Sequence, residues 1–276
     1  MPLVSTGDVV GPAADHGRGC GAFNAIQLEH ITAIIEGAQA ANTPVIVQLS
    51  QNAVAYHGAL APIGEAALAA ARAAKVPVAV HLDHAESQDL VREAVALGFG
   101  SVMFDASKLD YGDNVRETRD MARYCHDHGV WIEAELGEVG GKDGVHAPGA
   151  RTDPGEAAEF AAATGVDALA VAVGSSHAML TRDAELDFEL IARLRDKVGV
   201  PLVLHGSSGV SDEGLAAAVR AGMTKINIAT QLNKVFTAAA TQDWRAHPER
   251  VDPRKYLGAG RDAVAAEVRR LLNVLG

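Results

Sequence analysis

The chain has 276 residues, 48% of them apolar and only 4% aromatic, with a formal net charge of −11 at pH 7. That length suits one domain with a large aliphatic core, and the acidic balance argues against nucleic acid or an anionic membrane as a general partner. An anionic ligand would need a local site made from backbone N–H groups, a helix N-terminus, a metal or a few Lys and Arg side chains.

The opening MPLVSTGDVV lacks the basic-then-apolar order of a signal peptide. No run of about 18 apolar residues marks a membrane span. The expectation is a soluble cytoplasmic protein whose two cysteines, Cys20 and Cys125, are reduced and structural. Strand candidates rich in Val, Ile and Ala run Gly21–Asn24, Val45–Ser50, Val78–Asp83, Val102–Asp105, Trp131–Leu136, Ala168–Val173, Leu202–His205 and Thr224–Ile228. Helical stretches lie between them at Gln27–Ala41, Ile63–Ala74, Gln88–Leu97, Asn114–His128, Pro154–Ala163, Phe188–Lys197 and Asp212–Ala221. Apolar runs with weak alternation suit parallel strands covered on both sides. Thr152–Asp153–Pro154 and Ser211–Asp212 look like N-caps, and Gly98, Gly129, Gly165 and Gly222 follow helices. Eight strands alternating with helices leave a closed barrel or a doubly wound sheet. The count, and the missing G-x-G-x-x-G after the first strand, favour an α/β fold of the TIM (β/α)8 barrel type. It would be a single domain over residues 1–276 with a C-terminal helical extension.

In such a barrel the C-terminal strand ends converge on one mouth, where active sites sit. Here those ends carry Asn24, Ser50, Asp83–His84, Asp105, Glu135, His177, His205 and Asn227. A single histidine is more often a surface or capping residue. Three of them, His84, His177 and His205, at equivalent positions on the third, sixth and seventh strands make a facial ligand set suited to zinc or a similar ion, with a coordination position left open. Strand alternation puts His81 and Asp83 on one face. Asp83 is then a fourth ligand, a partner of the ligands or a proton carrier, with His81 packed beneath it as an orienting group. Asp105 and Glu135 are either ion-pairing and capping residues or a second metal position and orienting shell. Gly137–Arg151, with five glycines, is long for a βα loop and reads as a lid. LHGSSGV and INIAT follow strands seven and eight, where barrels commonly hold phosphate on backbone N–H groups.

These residues carry a resemblance. The chain is similar to class II fructose-bisphosphate and tagatose-bisphosphate aldolases through GAFN at Gly21–Asn24, PVIVQLS at Pro44–Ser50, PVAVHLDH at Pro77–His84, SVMFDAS at Ser101–Ser107 and EAELGEVGG at Glu133–Gly141. The match continues with TGVDALAVAVGSSH at Thr164–His177, PLVLHGSSGV at Pro201–Val210, KINIAT at Lys225–Thr230 and DPRKYL at Asp252–Leu257. The resemblance implies a barrel, usually oligomeric (a homodimer or tetramer), with Zn²⁺ or another divalent metal on His84, His177 and His205. It implies that Asp83 exchanges the proton with the C4 oxygen, and that Asp105 and Glu135 surround an alternate metal position. Asn24, Ser50, Gly174, Gly206, Ser208, Asn227 and Thr230 match substrate and phosphate contacts, with Na⁺ or K⁺ often near the phosphate turns. The implied reaction is reversible cleavage of fructose or tagatose 1,6-bisphosphate to dihydroxyacetone phosphate and glyceraldehyde 3-phosphate, a step of carbohydrate metabolism such as glycolysis.

Four positions depart from the relatives. Ala178 follows His177 where Gly is common, and Arg182, expected to contact substrate or phosphate, stands where many have Lys, which keeps the charge but changes its shape. Lys142–Asp143 occupies a run that is acidic elsewhere, and Ala229 matches the tagatose type where some fructose-type enzymes have Asp. Asp143, the carboxylate just after the Gly140–Gly141 hinge, is the expected group for the C3 proton. Arg254 is expected on the second phosphate, reaching a neighbouring subunit's mouth through a two-pronged hydrogen bond. Two other functions compete: a metal-dependent sugar-phosphate epimerase or isomerase, and a non-catalytic aldolase-like partner subunit.

Overall fold

The computed structural model describes residues 2–136, 151–176 and 179–276. Asp143, most of the expected lid, and His177 lie outside the described residues. Eight parallel strands close a barrel in sequence order: β1 (Cys20–Asn24), β2 (Val45–Ser50), β3 (Val78–Ala85), β4 (Ser101–Phe104), β5 (Trp131–Glu135), β6 (Ala168–Ala170), β7 (Leu202–Leu204) and β8 (Met223–Ile228). β8 pairs back onto β1, with Ala22 opposite Asn227, and this closes the ring. The helices are α1 (Gly7–Asp15) before β1, then α2 (Leu28–Ala41), α3 (Gln51–His57), α4 (Leu60–Ala73), α5 (Gln88–Leu97), α6 (Tyr111–Asp127), α7 (Pro154–Thr164), α8 (Phe188–Lys197), α9 (Asp212–Ala221), α10 (Thr230–Ala246) and α11 (Pro253–Leu275).

Alternation along each strand divides the core. Outward side chains such as Phe23, Val47, Leu82, Ile132, Leu204 and Ile226 are fully buried against the helix layer, in one cluster with Ile34, Leu68, Phe160, Ile191 and Leu215. Inward, the N-terminal end of the barrel is filled by Cys20, Ala22, Ile46 and Ala79 and closed by Val9 and Val10 of α1. Higher up, the inward positions turn polar: Gln48, His81, Glu133, Lys225 and His205 are all fully buried. The barrel is plugged at the bottom, and its chemistry is at the top.

Several boundaries differ from the expected ones for identifiable reasons. β6 stops at Ala170, not Val173, because Ala172 and Val173 pair with Thr152 and Asp187 instead of a neighbouring strand. α4 starts at Leu60, not Ile63, because Pro62 falls in its first turn, where a missing N–H costs nothing. α1 is unexpected because Gly11 and Pro12 read as breakers, yet the helix contains Pro12. α3 is short and is started by Ser50, whose hydroxyl accepts from the Ala53 N–H at 3.2 Å. The expected caps Asp153 and Ser211 do accept from first-turn N–H groups of α7 and α9. Both cysteines are buried and free. Among the described residues no helix is long and apolar enough to cross a membrane.

Candidate active site

Adjacent residues on a regular strand face opposite ways, so Asp83 and His84 should not both reach the mouth. The backbone resolves this. His84 adopts φ 49°, and the β3–β4 register shifts between Leu82 and Ala85. This bulge re-aims a side chain at the strand end and brings the His84 ring to 4.7 Å, centroid to centroid, from that of His205.

Around these two rings the strand-end carboxylates gather. Asp105 Oδ2 lies 3.0 Å from His84 Nδ1, and its other oxygen accepts from the Ser107 N–H at 3.1 Å and hydroxyl at 2.5 Å. Glu135 Oε2 lies 3.5 Å from His205 Nδ1. Among the described residues, two groups have ligand atoms all within 4.8 Å of one another: Asp83, His84 and His205, and His84, Asp105 and Glu135. Burial pushes the His84 imidazolium down, but the Asp83 charge, the Asp105 hydrogen bond and Glu135 outweigh it and raise its pKa to about 10. His205 goes the other way: burial, then the neighbouring His84 charge, hold it well below the ordinary histidine range, so its ring is neutral. A hard-to-borderline divalent cation suits this donor set of imidazole nitrogens and carboxylate oxygens in a field of concentrated negative charge.

Asp83 is 3% exposed and held at both oxygens by amides. Asn24 Nδ2 donates to Oδ2 at 2.7 Å, and Asn227 Nδ2 approaches Oδ1 at 3.5 Å. Each amide is fixed from behind, since Gln48 Nε2 donates to Asn24 Oδ1 at 3.0 Å and Lys225 Nζ to Asn227 Oδ1 at 2.8 Å. Both amides therefore present N–H to Asp83, keeping it a directed acceptor.

Beside the carboxylate lies a cavity of about 190 Å³ bounded by Asn24, Ser50, Asn52, Asp83, His84, Gly206, Ser207, Ser208, Asn227, Ala229 and Thr230. Its far wall is the turn after β7 and the start of α10. Gly206 sits at φ 68°, and a Cβ there would fall 2.5 Å from the Ser176 carbonyl oxygen, so only glycine lets these backbones approach. Ser208 Oγ accepts from the Gln231 N–H at 3.1 Å and ties this turn to α10. Ala229 caps α10 with no side-chain hydrogen bond, so the first turn of a 17-residue helix begins at the cavity with its N–H groups uncapped by residue 229.

The structure thus brings Asn24, Ser50, Asp83, His84, Gly206, Ser208, Asn227 and Thr230 to one cavity, with Asp105, Glu135 and His205 beside it. Other expected residues stand elsewhere. Gly174, at φ 119°, is packed against the Glu185 carbonyl rather than the cavity. Arg182 does not line it either: its guanidinium donates to the Val210 carbonyl at 2.8 Å and pairs with Asp212 at 2.7 Å. Asp212 is shared with Arg270, so this arginine anchors the loop after β6 to α9 and α11. Arg254 is exposed on α11 and clamps Asp252 at 2.8 Å. Five contributors were not anticipated: Gln48, Asn52, Ser207, Glu133 and Lys225. For the last two the signal was available, since Glu133 is two residues before Glu135, and Lys225 two before Asn227, on the same inward face.

An eight-stranded parallel barrel that gathers imidazoles, carboxylates and a helix N-terminus at its mouth has the form of a barrel enzyme with candidate metal-ligating groups there. The family model described as fructose-bisphosphate aldolase class-II matches residues 4–276, and the chain belongs to that family. It is accordingly an aldolase, a lyase of a family generally dependent on metal and acting on sugar phosphates. The fructose-bisphosphate aldolase of Giardia intestinalis is 37% identical, over 96% of this chain and 90% of that one. Among solved structures, the YdjI aldolase of Escherichia coli K12 superposes with TM-score 0.87 at 31% identity, covering 99% of this chain and 97% of that one. A putative fructose-1,6-biphosphate aldolase of Coccidioides immitis gives TM-score 0.84 at 31% identity, covering 98% and 96%.

Proposed function

We propose that the chain catalyses reversible, metal-dependent aldol cleavage of a ketose 1,6-bisphosphate, fructose or tagatose, to dihydroxyacetone phosphate and glyceraldehyde 3-phosphate. The observation that carries the reading is the meeting of His84, His205, Asp105 and Glu135 beside an amide-held Asp83, on the wall of a cavity that ends at a helix N-terminus. His84 and His205 would hold the ion with His177 as the third expected donor, and Asp105 and Glu135 would flank it. A divalent cation there supplies a Lewis acid for the negative charge that develops at the carbonyl oxygen during bond cleavage.

The chain's own residues do the rest. Asp83 takes the C4 hydroxyl proton in cleavage and returns it in condensation. Asn24 and Asn227 keep its lone pairs aimed into the cavity. One phosphate is received by the Gly206–Ser208 turn and the first turn of α10, through backbone N–H groups and the Ser208 hydroxyl. Arg254, exposed on α11, serves the second phosphate in the mouth of a neighbouring subunit of a homo-oligomer. Asp143 handles the proton at C3.

Coupled detection of dihydroxyacetone phosphate from a panel of ketose mono- and bisphosphates tests this reading. The expected result is product from bisphosphates, with the preferred C4 epimer read from the panel. Conversion to a new hexose isomer alone would establish an epimerase, and no turnover of any member would establish a non-catalytic subunit.

A further inference from the structure

Beneath the mouth lies an ion pair that, among the described residues, does not line the cavity. Lys225 Nζ is 2.8 Å from Glu133 Oε2, and both side chains are completely buried in the barrel lumen. As a stabilising device the pair is hard to explain, because a buried ion pair loses hydration on both partners and apolar residues of like volume often hold a core as well. Its other contacts point to a different use. Glu133 Oε1 lies 3.0 Å from His205 Nε2, and Lys225 Nζ donates to Asn227 Oδ1 at 2.8 Å.

We infer that Glu133 and Lys225 are positioning residues that set His205 as an Nδ1 donor and Asn227 as a donor to Asp83; the inference rests on the reading of His205 as a metal ligand. A carboxylate whose Oε2 faces the Lys225 ammonium presents Oε1 as an acceptor, so the ring proton of His205 belongs on Nε2 and the lone pair on Nδ1, the nitrogen that faces Glu135. Lys225 Nζ holds the other carboxylate oxygen, Oε2, at 2.8 Å, leaving Oε1 directed at His205. The same ammonium occupies Asn227 Oδ1, which turns the amide N–H toward Asp83. One buried pair thereby orients both a metal donor and the partner of the proton carrier.

Two double variants that bury no charge separate this role from folding. Glu133→Gln with Lys225→Met keeps a carbonyl acceptor for Nε2–H, whereas Glu133→Leu with Lys225→Met removes it. Zinc affinity is measured for both and for wild type by competition with a chromophoric chelator, alongside thermal unfolding. The Gln variant should bind zinc close to wild type, and the Leu variant about 10–100-fold more weakly, the usual loss for an orienting partner of a ligand. Equal zinc affinity in the two folded variants would overturn the inference while leaving the ligand assignment standing. A wild type that binds no zinc would overturn both. Independently of any variant, ¹⁵N shifts of His205 in the zinc-loaded wild type should show the ring proton on Nε2, and a proton on Nδ1 would overturn the inference.

Discussion

At the bottom of the lumen Cys20, Ala22, Ile46 and Ala79 meet Val9 and Val10 of α1, while the layers above hold Gln48, His81, Glu133, Lys225 and His205, equally buried. The floor is fitted by volume. Burial pushes the Cys20 thiol up to about 12, so even its one reactive group is silent. The upper layers are fitted by directed polar contacts: Gln48 donates to Asn24, Lys225 to Asn227, and Glu133 meets both Lys225 and His205. Equal burial therefore serves unlike ends, and substitutions at the two levels should fail in different currencies: stability below, metal retention and turnover above.

The largest effect expected is at the top. His84→Ala removes one imidazole donor and should lose zinc on dialysis, and detectable cleavage with it; a variant that kept both would break the contrast. Next comes Asp83→Ala, which should retain zinc and a near-wild-type melting temperature while turnover falls about 10²–10⁴-fold, the range of general acid–base groups. A folding defect in its place would put Asp83 with the floor. At the floor, Ile46→Ala should lower unfolding free energy by about 2–5 kcal/mol, read by denaturant titration, with KM and zinc affinity unchanged. The smallest effect lies in the helix layer, outside both levels. His30 is 3% exposed and stacked on Phe236 at 4.9 Å, and burial lowers its pKa. The unfolded chain thus binds the proton more readily, so this contribution to stability is fully present above the unfolded value of about 6.5 and fades as pH falls below it. His30→Leu should flatten the decline of the melting temperature between about pH 7 and pH 5; an unchanged slope would remove His30 from the account.

What could be read in advance follows the same division. Strand order and the caps of α7 and α9 were legible because they are written in local chemistry: Val- and Ile-rich runs, Asp153 before Pro154, Ser211 before Asp212. The mouth was legible because strand ends in a barrel share one address. Less legible were features decided by three-dimensional neighbours. The bulge at His84 depends on register with β4, and the early end of β6 depends on Thr152 and Asp187 capturing its backbone. Arg182 is expected on substrate, yet its partner Asp212, which also pairs with Arg270, comes from a helix that follows 30 residues later. Glu133 and Lys225 share the inward face of Glu135 and Asn227, but their contacts with each other and with His205 exist only once the barrel is closed around them.

The most direct test of the central claim is to strip the purified protein of metal with a strong chelator, remove the chelator, and titrate zinc back while recording dihydroxyacetone phosphate release from a ketose bisphosphate. The account predicts no cleavage without metal and recovery that saturates at one zinc per chain. Full activity in the metal-free protein would contradict it.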